Sequence, residues 1–316
     1  MKKSIFILLF LLFFISCIKN RIEKKAGAVL YPHYDIEVKI NPEDGYLDVK
    51  GRMTCPVRTE NINKFAFYLH KNLEMASFAV NGNGSLSLDT SESDIRYMVD
   101  ALKYSIVLPK DTNEQPDLKI NFSYSGHITS WPSWSPNVIG TDWIEIGSYF
   151  PWYPYHPDRI PFTYTCKVEI NPAYNVFVMG HRKTSVKKIL FETVIPTNSI
   201  VVCASKDLKI EERKLQKNAI RIAYTSLSKK NVDMILQDLE KIFGFYSGWY
   251  GEKNQDISLV ESKREKGGGY VRIGGLFLAE LSGNSYMENR AGYQRYLGHE
   301  LAHFWWYKAD TSSWED

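Results

Sequence analysis

The chain has 316 residues, 44% of them hydrophobic and 24% charged, which is the balance of a globular protein and excludes a disordered or fibrous one. The length is enough for about two domains with sizeable cores. The formal net charge is +3, and Lys2 and Lys3 lie in a segment that we expect to be removed. A chain so close to neutral gives no indication of a nucleic-acid partner.

The N-terminus has the pattern of an export signal. In MKKSIFILLFLLFFISC two lysines precede an apolar run that ends at Ile15 and is too short to span a bilayer comfortably. The final FISC resembles the lipobox of bacterial lipoproteins, with Phe14 where leucine is usual. We expect a lipoprotein-type signal peptide over residues 1–17, a lipid on Cys17 and a polar tether over 18–29, and hence an exported protein anchored to a membrane of the bacterial cell envelope. An ordinary cleaved signal and an uncleaved anchor are the alternatives.

Three other cysteines are present, Cys55, Cys166 and Cys203, and this odd number allows one disulfide at most. Cys55 and Cys166 belong to runs in which apolar and polar residues alternate. Both are therefore predicted to be small core residues on the inner faces of strands and not metal ligands.

From about residue 30 to about residue 225 the hydrophobic pattern has a period of two. Apolar and polar residues alternate in the segments 34–40, 47–57, 118–124 and 162–170. Turn sequences such as NGNG and LPKD separate the alternating segments. The pattern predicts a mainly β domain over 30–225, an antiparallel sandwich with one buried face per sheet.

A segment between Trp131 and Pro161 is crowded with tryptophan, tyrosine and proline, as in SYFPWYPYHPD. Its prolines exclude a central strand, and its large rings supply apolar area. The favoured interpretation is a long loop whose aromatic rings plug the sandwich, and the alternative is a wall of a substrate cleft. His156 within it is predicted to be a surface residue.

Near Ser228 the period changes from two to about 3.6, which marks a second domain over residues 226–316. Ser228 can cap a helix with one apolar stripe, and Gly244 is placed to end that helix. The elements predicted to follow are strands at 256–260 and 270–278 and a helix at 286–306.

The stretch GHELAHFWW places His299 and His303 four residues apart, with Glu300 beside the first. On a helix such a pair lies on one face, so both rings can direct a nitrogen at one ion. Imidazoles at this spacing suit zinc, which lowers the pKa of a bound water to about 7. Glu300 is close enough to accept a proton from that water, so the motif predicts hydrolysis of an amide bond with Zn²⁺ as cofactor.

The alternative for this motif is an ordinary solvated helix face with two histidines and a glutamate. The neighbouring apolar residues favour a site. Leu301, Phe304, Trp305 and Trp306 would bury one side of the helix and leave its polar side to line a cavity.

Several segments occur in the order seen in the aminopeptidase N family of gluzincin zinc metallopeptidases. They are YDIEVKINPEDGYLDVKG, LPKD with LKINFSYSG, YFPWYP, KKNVDMILQDLEKIFGFY, KGGGYVRIGGLFLA and GHELAHFWW. The resemblance implies a saddle-like β-sandwich followed by the start of an α+β thermolysin-like catalytic domain. It also implies His299 and His303 as zinc ligands, Glu300 as general base and a peptide as substrate.

In that family a glycine-led strand lies along the peptide substrate, and its glutamate holds the substrate's free amine. The matching residues here are Gly268, Gly269 and Tyr270, which the resemblance implies to be substrate-binding. Tyr270, Val271 or Arg272 falls at the place of the glutamate, and none of these is an acid. Glu288, within the similar letters MEN, is interpreted as a solvated carboxylate on the helix that carries His299.

The family takes its third zinc ligand from the helix after the second histidine. Asp310, Glu315 and Asp316 are the carboxylates that follow His303 here. The resemblance places the ligand, and a tyrosine that stabilises the oxyanion, beyond Asp316. It therefore implies a truncated catalytic domain, with the chain a fragment of a longer enzyme.

Two alternatives to an aminopeptidase stay open. The first is a non-catalytic surface lipoprotein whose sandwich and aromatic loop bind peptide or glycan. The second is a thermolysin-like endopeptidase, which the missing amine-binding glutamate favours.

Overall fold

The computed structural model describes most of the chain between residues 31 and 306. The described ranges are 31–56, 64–81, 88–95, 98, 100–108, 117–147, 149–156, 160–185, 188–215, 217–264, 268–279 and 281–306. The leader, the tether and Cys17 lie outside them, as do Asp310, Glu315 and Asp316. The predictions made for those residues stay predictions.

The fold is mostly β, as predicted. The strands of the described ranges are β1 (His33–Asn41), β2 (Tyr46–Pro56), β3 (Lys64–His70), β4 (Glu74–Val80), β5 (Leu88–Glu92), β6 (Ala101–Val107), β7 (Asp117–His127), β8 (Val138–Ile139), β9 (Ile144–Ile146), β10 (Phe162–Glu169), β11 (Asn175–Val178), β12 (His181–Ser185), β13 (Lys188–Thr197), β14 (Val202–Ser205), β15 (Lys209–Lys214), β16 (Ala219–Tyr224), β17 (Ile257–Glu261), β18 (Gly269–Arg272) and β19 (Gly275–Leu278). The helices are α1 (Lys229–Tyr250), α2 (Ser285–Glu288) and α3 (Arg290–Trp306).

The strands form four sheets. Their orders are β12-β13-β10-β1-β2-β7-β4, β3-β6-β5, β11-β14-β9-β8 and β15-β16-β17-β19-β18. Strand β1 pairs with β10 in parallel, with Ile36 opposite Cys166. The prediction of an antiparallel sandwich is therefore wrong at this pair. Strands joined by a long connection, such as the chain between β1 and β10, need not be antiparallel as hairpin strands must be.

The alternating residues point into one large core, as the period of two predicts. In β1 the side chains of Tyr34, Ile36, Val38 and Ile40 are buried, and the residues between them are more exposed. Val38 faces Val49 of the neighbouring strand β2, which is also buried. The core extends along the chain from Tyr34 to Ala204, so the seven-, three- and four-stranded sheets all contribute to it.

The segment at 131–161 packs most of its rings into this core. Trp152 and Tyr153 are fully buried. The hydroxyl of Tyr124 donates to the carbonyl oxygen of Trp152 at 2.9 Å, which ties the loop to β7. The buried rings fill the core of the sandwich, as the favoured interpretation of this segment predicts. His156 is half-buried beside the ring of Phe65, at a centroid distance of 6.0 Å, and is therefore less exposed than predicted.

The five-stranded sheet joins two stretches of chain that the sequence analysis separates. Strands β15 and β16 precede the predicted division at residues 225 and 226, yet β16 pairs in parallel with β17, beyond that division. The division itself stays a prediction. The single strand predicted at 270–278 is wrong, because β18 and β19 form an antiparallel hairpin. Gly274 turns the chain with φ +89°, a conformation that a glycine adopts without strain.

Helix α1 begins as predicted, with the side chain of Ser228 accepting a hydrogen bond from the amide of Asn231. It does not end at Gly244 but continues to Tyr250, where Gly251 follows with φ +91°. Packing explains the extension, because the last two turns carry Tyr246 against α3. Tertiary contacts of this kind outweigh the intrinsic cost of about 1 kcal/mol for a glycine within a helix.

The helix predicted at 286–306 is interrupted at Asn289, which lies between α2 and α3. Asp238 of α1 fixes this junction, since it accepts hydrogen bonds from Arg290 at 2.6 and 2.8 Å and from the hydroxyl of Tyr286 at 2.9 Å. The carboxylate is buried, although Arg290 is partly exposed. The ion pair therefore positions the start of the helix that carries the histidine motif.

Cys166 and Cys203 are buried and Cys55 is half-buried, all three as free thiols. The two alternating cysteines thus pack with the core, as predicted for small apolar residues. Within the described ranges no helix is both long and apolar enough to cross a membrane.

Candidate metal and peptide site

Helix α3 has one buried side and one exposed side at the histidine motif. Leu297, Leu301 and Phe304 are buried in the second core, which the helices share with the five-stranded sheet. Their spacing of four and three residues places them on one face of the helix. His299 and His303 lie on the other face and are both exposed.

Contacts with α1 hold this part of α3 in place. The hydroxyl of Tyr246 donates to the carbonyl oxygen of Gly298 at 3.1 Å. The indole N–H of Trp305 donates to the carbonyl oxygen of Gly251, at the end of α1, at 3.0 Å. Because the bonded residues bracket the two histidines, the backbone that carries the imidazoles is fixed from both sides.

The two imidazole rings are close neighbours. Their centroids are 5.2 Å apart and their planes are inclined by 87°. His303 is only partly solvated, and this partial desolvation lowers its pKa, which the nearby His299 lowers further. Both effects favour the neutral imidazole, which is the form that binds a metal.

Glu300 differs from the two histidines in being nearly buried, with 9% of its surface exposed. Burial raises the pKa of its carboxyl, and the adjacent His299 opposes that rise. A largely desolvated carboxyl group next to an imidazole suits a group that accepts and returns protons.

The fit of this arrangement to zinc is partial. Structural and catalytic zinc sites take at least three protein ligands, at about 2.0–2.3 Å. Within the described ranges there is no group of three His, Cys, Asp or Glu residues that could hold a metal ion. Two imidazoles on one helix face therefore supply part of a zinc site, and the nearly buried Glu300 is next to the first of them in the chain.

Strand β18 approaches α3 closely at its glycines. A Cβ atom added to Gly269 would lie 2.4 Å from the hydroxyl of Tyr296 and 2.3 Å from the carbonyl oxygen of Phe277. A Cβ atom added to Gly268 would lie 3.0 Å from the same hydroxyl. Tyr296 precedes His299 by one helical turn. The two glycines thus let an edge strand run beside the histidine motif.

We expect Gly269→Ala to lower the free energy of unfolding by about 2 kcal/mol, because the strand and helix must separate to admit the methyl group. Urea unfolding measures the change. The matched control is Gly248→Ala in α1, where a Cβ would meet nothing within 4 Å. The control should raise stability by about 0.5–1 kcal/mol through the loss of glycine flexibility. Equal effects of the two substitutions would contradict the close approach.

The side chain of Tyr270 faces away from the histidines, towards the β-sandwich. It is buried, and its hydroxyl donates to Glu145 of β9 at 2.6 Å. Glu145 also accepts from Ser262 at 2.8 Å and from the indole N–H of Trp143 at 3.1 Å. Burial raises the pKa of Glu145, against the hydrogen bonds from Tyr270 and its neighbours. Of Tyr270, only the backbone is placed to meet a ligand along the strand.

Glu288 is exposed, as predicted. It lies on α2, however, and not on the helix that carries His299. The structure adds two residues that the sequence analysis missed, Tyr296 and Glu145. The signal for Glu145 was an acid within the apolar run WIEIG, since such a residue in a buried strand needs partners. For Tyr296 the signal was its position one turn before His299.

The sequence matches no family model and no curated protein. The fold does match solved structures. The M1 zinc metallopeptidase of Deinococcus radiodurans superposes with a TM-score of 0.59 at 15% identity, over 88% of this chain and 65% of that one. A mutant of that enzyme bound to Tyr-Ser-Ala gives 0.58 at 16% identity, over 87% and 64%. Native yeast LTA4 hydrolase gives 0.60 at 14% identity, over 87% and 44%.

At these identities the likeness establishes the fold alone. The chain has the fold of M1 zinc metallopeptidases, and it spans 44% to 65% of the length of the three structures just compared.

Proposed function

We propose that the natural polypeptide containing this chain is a zinc-dependent peptidase, and that residues 226–316 belong to a thermolysin-like catalytic domain. The observation that carries the proposal is the exposed imidazole pair of His299 and His303 beside the nearly buried Glu300. The structural neighbours support it, because they are zinc metallopeptidases and one of them was solved with a peptide substrate.

His299 and His303 would hold the zinc, together with a third protein ligand that the resemblance places beyond Asp316. When bound there, zinc would supply Lewis acidity that lowers the pKa of a water towards neutrality. Glu300 accepts the proton of the attacking water on a carboxylate oxygen and delivers it to the leaving amine. Glu300 follows His299 directly on α3, which places its carboxyl in the same helical turn as the first imidazole.

Strand β18 would position the peptide. It is an edge strand of the five-stranded sheet, where an extended chain could pair with its backbone amides. The carbonyl oxygens of Gly269 and Val271 already accept hydrogen bonds from Arg264 and Arg272. Gly268 and Gly269 bring that edge next to the histidine motif, and Tyr270 continues it. A substrate paired with this edge would lie across the imidazole face of α3.

The proposed activity is that of an aminopeptidase, and a thermolysin-like endopeptidase is the second candidate. One observation favours the second. Residues 270–272 of β18 are Tyr, Val and Arg, so the strand offers a substrate amine no carboxylate at these positions. Cleavage of a peptide with a blocked N-terminus distinguishes the two, because an aminopeptidase leaves it intact.

Peptide hydrolysis by the purified natural polypeptide tests the proposal. We expect release of amino acids or short peptides from a peptide mixture, loss of the activity on treatment with a chelator, and its return with Zn²⁺. Activity that survives complete chelation would contradict the proposal. So would binding of peptide or glycan with no turnover, which is the result expected of a non-catalytic surface lipoprotein.

We also propose that the protein is exported and held on a membrane by a lipid on Cys17, as the leader sequence indicates. Membrane fractionation of Cys17→Ala tests this. The variant should appear in the soluble fraction, and an unchanged membrane fraction would contradict lipidation at this residue.

A further inference from the structure

The last two turns of α1 present large aromatic side chains to solvent. Phe245 is 60% exposed, Trp249 is 73% exposed and Tyr250 is 52% exposed. The rings of Phe245 and Trp249 are neighbours, with centroids 6.1 Å apart. The ring of Tyr250 lies 4.5 Å from that of Trp306, which is exposed as well. Phe245, Trp249 and Tyr250 thus form one exposed surface, the aromatic ridge.

Two rings of the ridge lie away from the core of the protein. Phe245 follows the buried Phe243 by two residues, which places it on the opposite side of the helix. Trp249 comes one turn later, at a spacing of four residues. Gly244 and Gly248 precede the two rings, and a Cβ atom added to either glycine would meet nothing within 4 Å. The rings of Phe245 and Trp249 therefore protrude above the glycines beside them.

Two lysines flank the ridge. Lys241 is exposed one helical turn before Phe245, and Lys253 follows the end of the helix. The acids between residues 240 and 253 are paired with bases, Glu240 with Arg213 at 3.3 Å and Glu252 with Lys217 at 2.5 Å. Lys241 and Lys253 therefore leave an excess of positive charge beside the protruding rings.

A membrane surface fits this combination better than a protein partner does. Since an aromatic side chain buries about 150–250 Å², the three partly exposed residues of the ridge offer about 300–400 Å². A stable protein–protein interface covers about 800 Å² of each partner, so the ridge is too small to form one by itself. Aromatic rings that enter the headgroup region of a bilayer need no matching cavity, and lysines beside them attract anionic headgroups.

We propose that the aromatic ridge docks on the surface of an anionic lipid bilayer, with the rings of Phe245 and Trp249 among the headgroups and the two lysines against lipid phosphates. The docking rests on the proposed lipid at Cys17 only for the nearness of a membrane, and it does not depend on peptide hydrolysis. A tether of residues 18–29 spans at most about 40 Å. Because the tether keeps the folded part close to the bilayer, a weak contact of the ridge is enough to orient it.

Binding to vesicles tests the docking in the absence of the lipid anchor. The protein is the natural polypeptide without residues 1–17, and the probes are phosphatidylcholine vesicles with and without phosphatidylglycerol. We expect tighter binding to the vesicles that contain the anionic lipid. Phe245→Ala and Trp249→Ala should each weaken that binding about tenfold, the size of effect that the burial of one large apolar side chain gives. Sedimentation of the vesicles measures the affinities.

Two matched controls locate the effect at the ridge. Val107→Ala shortens an apolar side chain of β6 that is 62% exposed, and it should leave the affinity for vesicles unchanged. Lys241→Gln should weaken binding to the anionic vesicles about fivefold. Lys230→Gln removes the same charge from the start of the same helix and should have little effect.

Equal affinity of the unsubstituted protein and its Phe245→Ala and Trp249→Ala variants would overturn the proposal. A ridge covered by a later part of the polypeptide would show itself in the same way, with Trp249→Ala lowering stability in urea and leaving vesicle binding unchanged. A ridge covered by a second copy of the chain would instead make Trp249→Ala change the oligomeric state in size-exclusion chromatography, which also overturns it. Vesicle binding through the ridge in a protein that hydrolyses no peptide would defeat the proposed function and leave the docking standing.

Discussion

Replacement of Glu300 by Gln is expected to lower peptide turnover by about a thousandfold, the middle of the range that a positioned general base contributes. The amide keeps the size of the side chain but cannot accept the proton of the attacking water. Zinc affinity should stay close to its original value, because His299 and His303 still supply the imidazoles. Steady-state kinetics and competition with a chromophoric chelator measure the two quantities.

The control for this substitution is Glu288→Gln, which removes the same charge from an exposed position on α2. It should leave turnover unchanged. A small effect of Glu300→Gln on turnover, or an equal loss in both variants, would contradict the role given to Glu300.

Asp238→Ala is expected to produce the largest loss of stability among single substitutions of the polar residues in the helices. It leaves the buried hydroxyl of Tyr286 and the guanidinium of Arg290 without the carboxylate that they share. Breaking a fully buried ion pair costs about 3–5 kcal/mol. Because Arg290 is partly exposed and water can replace part of the interaction, we expect about 2 kcal/mol. Urea unfolding measures the loss.

The contribution of Asp238 should depend on pH in a defined direction. Burial alone would raise the pKa of its carboxyl, but hydrogen bonds from Arg290 and Tyr286 outweigh burial and hold the pKa below its ordinary value. The stabilisation is therefore present above the unfolded pKa of about 3.9 and is lost as the pH falls through the lower folded value.

The stability difference between the unsubstituted protein and Asp238→Asn should accordingly shrink below about pH 4. The control is Asp233→Ala, which breaks an exposed pair with Lys229 and should cost about 0.5 kcal/mol or less. An Asp238 effect as small as this, or one that grows towards acid pH, would contradict the assignment of a buried ion pair.

Local patterns predicted the parts of the fold that local forces determine. The alternation in β1 gave its buried face, since neighbouring side chains of a strand point to opposite sides. Of the four residues predicted to bury one side of α3, Leu301 and Phe304 are buried, whereas Trp305 is half-buried and Trp306 is exposed, so the prediction is wrong at the last residue. The position of the imidazole pair followed from sequence, because residues four apart share one face of a helix.

Contacts between distant segments account for most of what was missed. The helix passes Gly244 because Tyr246 finds a partner on α3, and no pattern within α1 encodes that partner. The turn at Gly274 lies in the run YVRIGGLFL, where the pair of glycines was a local turn signal that the single predicted strand overlooked. In the candidate site, Glu145 and Tyr270 are 125 positions apart in the chain, so only the folded structure joins them.

Zinc content of the natural polypeptide, measured after dialysis against a weak chelator, tests the central claim most directly. The account predicts one Zn²⁺ per chain, lost in His299→Ala and in His303→Ala and retained in His127→Ala, which alters an exposed histidine of β7. Zinc that stays bound in either α3 variant, or an unsubstituted protein that binds none, would contradict it.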